Sequence, residues 1–359
     1  MKKKKVCLIA QFPAPIHGLS KAVETLYNSY LTDEFDFEKV DITSNKKFLK
    51  NIIKIWGSKA DLFYLTISQT KGGNIRDLII FKLLRLQKKK CLIHLHGGYY
   101  RKLVDNDMGS FQRNLNYKVI KQLDGVIVLS ESLKSIFQGM IDDKKIFVIP
   151  NCVDDRFLMG DAEFEEKMAV LDKKEVLHVL YLSNFIKTKG YIEVLKMAKL
   201  EKERALGGDK KKIHFDFAGK FFEVAEREFF FNYIKQYGLE EFVTYHGIVD
   251  GQQKKELLKK CDIFTLLTRY PNEGQPISIL ESMGNGMVIV TTDHAGIPDI
   301  VKDGVNGIMV TTSQQQNIVE LYSRLYCDKK TMINNRNTTL QYYVESTYLS
   351  NLQRIFNEI

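Results

Sequence analysis

The stretch CDIFTLLTRYPNEGQPISILESMGNGMVIVTT, residues 261–292, reads as two buried strands with one helix between them. Ile263–Leu267 and Val288–Thr292 are nearly continuous runs of apolar and β-branched residues, typical of strands covered on both faces. Pro276 suits the first turn of the intervening helix, where its missing N–H costs nothing. A strand, a crossover helix and a second strand form a parallel βαβ unit.

The same alternation of strand and helix continues along the whole chain and starts afresh near residue 155. It predicts an α/β protein with two Rossmann-like, doubly wound domains that face each other across a cleft. We expect an N-terminal domain at 1–155, a C-terminal domain at 156–335, a charged linker at 160–175, and a final helix at 336–359 that crosses back to the first domain. The predicted strands are 6–10, 61–67, 91–96, 125–129 and 146–150 in the first domain, and 176–182, 213–219, 242–245, 263–267 and 288–292 in the second.

Composition narrows the class of protein. The 359 residues are 44% hydrophobic and 27% charged, which indicates a folded globular chain. No apolar run reaches the roughly 18 residues that a membrane-spanning helix needs. The five cysteines are scattered without a C-x-x-C pair, so buried free thiols are expected, not a zinc site. The lysine-rich start leads directly into a short strand and a Pro/Gly loop, so we expect a cytoplasmic protein without a signal peptide.

Positive charge is concentrated in the first half of the chain. Residues 1–150 hold 26 Lys or Arg and 14 Asp or Glu, whereas the whole chain has a net charge of +9. A lysine-rich composition that serves solubility explains this equally well as an anionic partner. Such a partner would be a membrane surface or a phosphorylated acceptor, because no nucleic-acid-binding motif accompanies the charge.

The helix after residue 275 has the features of an anion site. Gly274 lets the backbone approach a ligand closely, and the free amides at the helix start favour a phosphate. Glu281 lies on a face with apolar neighbours, where a carboxylate needs a partner. The vicinal hydroxyls of a ribose would satisfy it, and so would a neighbouring loop.

These residues resemble the E-x7-E element of the retaining glycosyltransferases of family 4 (glycosyl transferases group 1), which have the GT-B fold. The similarity continues through GIPDIV (296–301) and DGVNG (303–307). The resemblance implies that Glu273 contacts the hydroxyls of the donor sugar and that Glu281 holds the ribose. It also implies donor contacts from the segment that follows Glu273, namely Gly274, Gln275, Pro276, Ile277 and Ser278.

A second element, LSNFIKTKG (182–190), resembles the G-R-L-x-x-x-K-G turn of the same family, whose Arg and Lys neutralise the diphosphate. Lys189 matches the Lys, but Asn184 replaces the Arg. Either Asn184 donates a neutral hydrogen bond, or another cation such as Lys187 or Arg101 substitutes. Gly247, which follows the strand at 242–245, is also assigned to the donor site.

Two turns of the first domain complete the predicted site. PAPIHGL (13–19) resembles the first βα loop of the family, in which Gly18 would present its backbone N–H to phosphate. HLHGG (94–98) resembles the H-x-H-G turn. Strand alternation places His94 and His96 on one face. His96 is the candidate to bond the donor sugar or the acceptor, and His94 is expected to be structural.

A metal-dependent alternative rests on Asp105-Asn106-Asp107, formally a D-x-D triplet. In the other large glycosyltransferase class this triplet ends a strand, whereas here it is predicted in a polar loop before a helix. We therefore expect neither a metal nor another cofactor.

The sequence thus predicts a retaining, metal-independent glycosyltransferase with Glu273, Lys189 and His96 as its catalytic residues. A UDP-sugar is favoured over a GDP-sugar as donor. The acceptor is predicted to be a glycan or a polyisoprenyl-phosphate-linked intermediate of surface-polysaccharide synthesis at the inner face of the membrane. The alternatives are a GT-B-fold sugar-nucleotide epimerase or phosphorylase, and a nucleotide-sugar-binding protein without activity.

Overall fold

The computed structural model describes residues 3–12, 18–311 and 317–359, which form two compact units. Unit 1 comprises residues 1–152, 271–275 and 345–359, and unit 2 comprises 153–270 and 276–344, apart from the undescribed residues. Each unit is built on one parallel six-stranded sheet, so the α/β class with two Rossmann-like domains is confirmed.

The sheet of unit 1 has the strand order β2-β1-β3-β4-β5-β6. Its connections from β2 to β3, β3 to β4 and β4 to β5 run in one direction along the sheet. Right-handed crossovers therefore place α2, α3 and α5 on one face. Helices α1 and α13 pack on the other face, through Leu26, Leu352 and Phe356.

The elements of unit 1 are β1 Lys4–Ala10, α1 Gly18–Tyr27, β2 Phe35–Asp41, α2 Phe48–Gly57, β3 Leu62–Thr66, α3 Lys71–Leu86, β4 Lys90–His94, α4 Tyr100–Lys102, α5 Ser110–Ile120, β5 Gly125–Val128, β6 Ile146–Val148 and α13 Glu345–Glu358.

The sheet of unit 2 has the order β12-β11-β10-β7-β8-β9. Its central strands β7, β10 and β11 are buried on both faces, as their continuous apolar sequences require. The elements are α6 Asp161–Val170, β7 Leu177–Leu182, α7 Tyr191–Leu206, β8 Ile213–Ala218, α8 Val224–Tyr237, β9 Val243–Tyr245, α9 Gly251–Lys260, β10 Ile263–Leu266, α10 Ile277–Gly284, β11 Val288–Thr292, β12 Gly307–Val310, α11 Ile318–Ser323 and α12 Lys329–Tyr342.

The structure differs from the sequence-based expectation in four places. It adds the edge strands β2 and β12. The charged segment at 160–175 is not a linker, because α6 buries Phe164 and Met168 in the core of unit 2. The final segment is two helices: α12 packs in unit 2, and only α13 joins unit 1. The chain also enters unit 1 again at Pro271–Gln275, which the sequence did not indicate.

Candidate functional site

The turn between β7 and α7 holds Lys189. Gly190, which follows it, has φ +82°, and a Cβ there would lie 2.5 Å from the carbonyl oxygen of Leu267. The backbone N–H of Lys189 donates to the carbonyl of Ile186 at 2.8 Å, and its ammonium lies 5.1 Å from the centre of the Tyr270 ring. Only glycine permits this approach of the turn to β10, so Gly190 fixes the position of Lys189.

Asn184 and Gly247 come close together at the carboxyl ends of three neighbouring strands. The link is Gly219, whose N–H donates to the carbonyl of Gly247 at 2.8 Å. A Cβ on Gly219 would lie 1.9 Å from the carbonyl oxygen of Ser183. Ligands of open α/β sheets bind at such carboxyl ends. Gly219 is not among the predicted site residues, although a glycine directly after the strand Ile213–Ala218 is a usable signal.

Glu281 lies on α10 and is almost fully buried. Lys254 of α9 pairs with it, with 2.7 Å between Nζ and Oε1. The Lys254 ammonium also lies 4.1 Å from the centre of the Phe157 ring. The buried carboxylate therefore has a protein cation beside it, as its desolvation requires. The sequence did not single out Lys254, because α9 carries several lysines at similar spacings.

Pro276 lies just before the helix and not in its first turn, where it was expected. It is the N-cap of α10, with φ −65° and ψ 119°, and the helix begins at Ile277. An extended N-cap still leaves the first amides of the helix, those of Ile277 and Ser278, without partners inside the helix. The predicted anion site at this helix start remains a prediction.

Arg101 and Lys187 are the predicted substitutes for the family Arg that Asn184 replaces. Arg101 donates to the carbonyl of Gln138 at 2.9 Å and pairs with Asp105 at 2.7 Å. Lys187 is exposed and lies 3.7 Å from Glu226. The two cations thus already have protein partners.

The structure adds a third cation, Arg269, which the sequence did not indicate. Its backbone N–H donates to the carbonyl of Thr188 at 2.6 Å, directly beside Lys189. Its guanidinium bonds Asp293 at 2.7 Å, and its buried Nε has no hydrogen-bond partner among the described residues. Arg269 therefore belongs with the candidate donor-site residues.

In unit 1, His94 and His96 stack with their ring centres 3.9 Å apart. His94 is fully buried, and the Tyr64 hydroxyl lies 2.5 Å from its Nδ1. Burial and the neighbouring His96 hold the pKa of His94 well below its usual range, so the ring is neutral. The structural role expected for His94 fits this environment. His96 is the partly exposed member of the pair.

The segment with Glu273 packs beside this turn. A Cβ on Gly274 would lie 2.7 Å from the carbonyl oxygen of His96. The next residue, Gln275, accepts a 2.8 Å hydrogen bond from the backbone N–H of Asn151 through its Oε1. Gly274 was expected to make room for a ligand, but in the structure it makes room for the His96 backbone. Glu273 and His96, separated by about half of the chain, are thereby brought into one neighbourhood of unit 1.

The first βα loop lies partly outside the described residues, which resume at Gly18. Gly18 is the first residue of α1, as the sequence predicted for a helix start. Residues 13–17 are not described.

The D-x-D triplet is not in a loop but in a helical turn, Leu103–Asp107. Asp105 accepts from Tyr117 at 2.9 Å, and Asp107 accepts from Tyr99 at 2.8 Å. Across residues 3–12, 18–311 and 317–359, no three His, Cys, Asp or Glu side chains are grouped so that they could hold a metal ion. None of the helices in these ranges is long and apolar enough to cross a bilayer.

Residues 163–340 match the model of the family "Glycosyl transferases group 1". An uncharacterised glycosyltransferase of Methanocaldococcus jannaschii is 27% identical over 67% of this chain and 59% of its own length. An uncharacterised protein from the cps region of Klebsiella pneumoniae is 24% identical over 76% of this chain and 72% of its own. The chain thus spans little more than half of the first relative.

Two further matches are informative. A stretch of 79 residues, 22% of this chain and 20% of the relative, is 34% identical to the N,N'-diacetylbacillosaminyl-diphospho-undecaprenol alpha-1,3-N-acetylgalactosaminyltransferase of Campylobacter jejuni. The crystal structure of HepE from Anabaena in complex with UDP has a TM-score of 0.74 at 16% identity, covering 99% of this chain and all of HepE.

Taken with the two parallel sheets, these matches define the class: the chain has the GT-B fold, and its residues 163–340 match the glycosyl transferases group 1 family. More particularly, the matched segment contains Asn184, Lys189, Gly247, Glu273 and Glu281, of which Glu273 lies in unit 1 and the other four lie in unit 2.

Proposed function

We propose that this protein transfers a sugar, with retention of anomeric configuration, from a UDP-sugar or GDP-sugar to a glycan or polyisoprenyl-phosphate-linked acceptor in surface-polysaccharide synthesis. The observation that carries the donor assignment is Glu281, buried on α10 and held 2.7 Å from Lys254. A buried, oriented carboxylate suits the paired hydroxyls of a ribose. The HepE structure holds UDP, which makes uridine the better choice of base.

The proposed chemistry needs only protein groups and the two substrates. The acceptor hydroxyl attacks the anomeric carbon on the face from which the nucleoside diphosphate leaves, and the departing phosphate oxygen takes the hydroxyl proton. Charge develops on that diphosphate, and Lys189, aided by Arg269 in the absence of the family Arg, stabilises it. Glu273 and His96 are proposed to orient the donor sugar and the acceptor. No metal is required in this scheme.

The acceptor class rests on the relatives. The Campylobacter protein is named for a diphospho-undecaprenol acceptor, and the Klebsiella protein comes from a cps region. A lipid-linked glycan carries a diphosphate, which agrees with the basic character of residues 1–150.

The test is a transfer assay with labelled UDP- and GDP-sugars and synthetic polyisoprenyl-diphosphate-linked acceptors, in the presence of EDTA. We expect a labelled glycolipid with one of the two nucleotides. NMR should show that the transferred sugar has the same anomeric configuration as in the donor. An inverted product would contradict the proposed mechanism. Interconversion of the sugar nucleotide without transfer would favour the epimerase alternative. Binding without any turnover on all acceptors would favour the non-catalytic one.

A further inference from the structure

The outer face of α2 in unit 1 carries a row of exposed apolar side chains. Leu49, Ile53 and Trp56 are 76%, 74% and 54% exposed, and their spacing of four and three residues places them on one side of the helix. The opposite side, with Asn51 and Ile55, is buried in the unit. Packing in the core explains the buried side of α2. It does not explain the second, exposed apolar side.

The neighbouring helix α3 repeats the pattern. Ile75 and Ile79 are about half exposed and Leu86 is 70% exposed, again on one side of the helix. Helices α2 and α3 pack together, and the Gln87 amide donates to the carbonyl of Trp56 at 2.7 Å where both helices end. We name the six side chains Leu49, Ile53, Trp56, Ile75, Ile79 and Leu86 the α2–α3 surface.

Exposed apolar residues in unit 1 are concentrated on this layer. Of the eight large hydrophobic side chains that are exposed in the described part of the unit, six form the α2–α3 surface. A seventh, Phe111, lies in the first turn of α5, where the next residue, Gln112, bonds Asn74 of α3 at 2.9 Å. Such clustering is rare on soluble monomers and marks an interaction surface.

The positive charge around the α2–α3 surface indicates an anionic partner. Residues 46–90 contain twelve Lys or Arg and two Asp, a net charge of +10, whereas the whole chain has +9. One of the two acids, Asp77, is buried beside Arg76 and adds nothing to the surface. Lysines at 46, 47, 50, 54 and 59 border the apolar row of α2, and Lys71 and Lys82 are exposed on α3.

We propose that the α2–α3 surface docks unit 1 on an anionic lipid bilayer. Its apolar side chains enter the headgroup region, while the surrounding lysines attract lipid phosphates. Lysine stems are long enough to lie along the apolar row with their ammonium groups at the phosphates. The inference does not depend on the proposed sugar transfer, although it agrees with a lipid-linked acceptor.

The chain offers a built-in reporter, since Trp56 is its only tryptophan. The purified full chain, without any sugar nucleotide, is mixed with vesicles of phosphatidylcholine alone or with added phosphatidylglycerol. We expect a blue shift of Trp56 emission and co-sedimentation with the anionic vesicles only, both weakened by salt. Brominated lipids should quench the emission.

Ile53→Glu should lower partitioning into anionic vesicles by about tenfold or more, because it places a carboxylate among the apolar contacts. Lys50→Glu, which leaves the apolar row intact, should lower it by a smaller factor. The matched control is Leu206→Glu, at an equally exposed leucine of unit 2 (76%), which should bind like the wild type. Far-UV circular dichroism verifies that each variant is folded.

Several outcomes would overturn the proposal. One is that Trp56 emission does not shift when anionic vesicles are added. A second is that Leu206→Glu loses as much vesicle binding as Ile53→Glu. A third is that the protein self-associates without lipid in sedimentation velocity and that Ile53→Glu abolishes this association. The last would make this face a protein interface. Because vesicle binding is measured without any sugar nucleotide and sugar transfer is measured in a separate assay, a failure of lipid binding and a failure of the proposed activity remain distinguishable.

Discussion

Glu281 and Lys254 are 27 residues apart in the sequence and form a buried ion pair in unit 2. The need of Glu281 for a partner could be predicted, because its helical position lies among apolar neighbours. The identity of that partner could not, since it depends on how α9 packs beside α10. The same limit applies to Gly274, whose neighbour His96 is far away in the sequence.

Replacing Glu281 with Gln should weaken binding of the nucleoside diphosphate by about tenfold to a hundredfold, because a hydrogen bond to a charged group contributes about 1.5–3 kcal/mol. The measurement is calorimetric titration with UDP and GDP. Glu256→Gln, on the exposed side of the same helix as Lys254, is the control and should bind normally. Unchanged affinity in a folded Glu281→Gln protein would refute the ribose assignment.

Replacing Lys189 with Ala should lower the turnover number, kcat. If its ammonium stabilises the departing diphosphate, kcat falls about a hundredfold while the KM for the donor changes little. Lys187→Ala in the same turn removes an exposed lysine that lies 3.7 Å from Glu226, and it should retain nearly full activity. Equal losses in the two variants would mean that Lys189 has no special role.

Among the secondary-structure elements, the central strands of both sheets could be predicted and two edge strands could not. Phe35–Asp41 is rich in charged residues and its apolar–charged alternation is interrupted at Glu38 and Lys39, and Gly307–Val310 is only four residues long. The sequence of helix α6 resembles a linker because half of its residues are charged. Its buried Phe164, Met168 and Lys167 become visible only when the core is assembled.

The contact between the β7–α7 turn and Leu267 can be tested by replacing Gly190. Gly190→Ala should destabilise unit 2 by about 2 kcal/mol or more, because Ala must adopt φ +82° and its Cβ would meet Leu267. Gly304→Ala, at φ +70° with open space around it, should cost only about 1 kcal/mol. Thermal melts compare the two, and equal shifts would contradict the close contact of this turn with β10.

For the whole molecule, the periodic alternation of strands and helices was sufficient to predict two parallel-sheet units. It was not sufficient to predict how the chain is shared between them. Pro271–Gln275 and Glu345–Ile359 return to unit 1, because their partners, His96 and Asn151 for the first and Leu26 for the second, belong to that unit. Sequence periodicity reports the local element but not the unit on which that element packs.

The proposed mechanism requires that the matched segment, residues 163–340, binds a nucleoside diphosphate without a metal, through Glu281 and the Lys189 turn. Its most direct test is a thermal-shift panel with UDP, GDP, ADP and NAD, each with and without EDTA, on the wild type and on Glu281→Gln. We predict that one nucleoside diphosphate, UDP first, raises Tm equally with and without EDTA, and that Glu281→Gln shows a much smaller rise. Stabilisation by NAD alone, or stabilisation that EDTA abolishes, would contradict this mechanism.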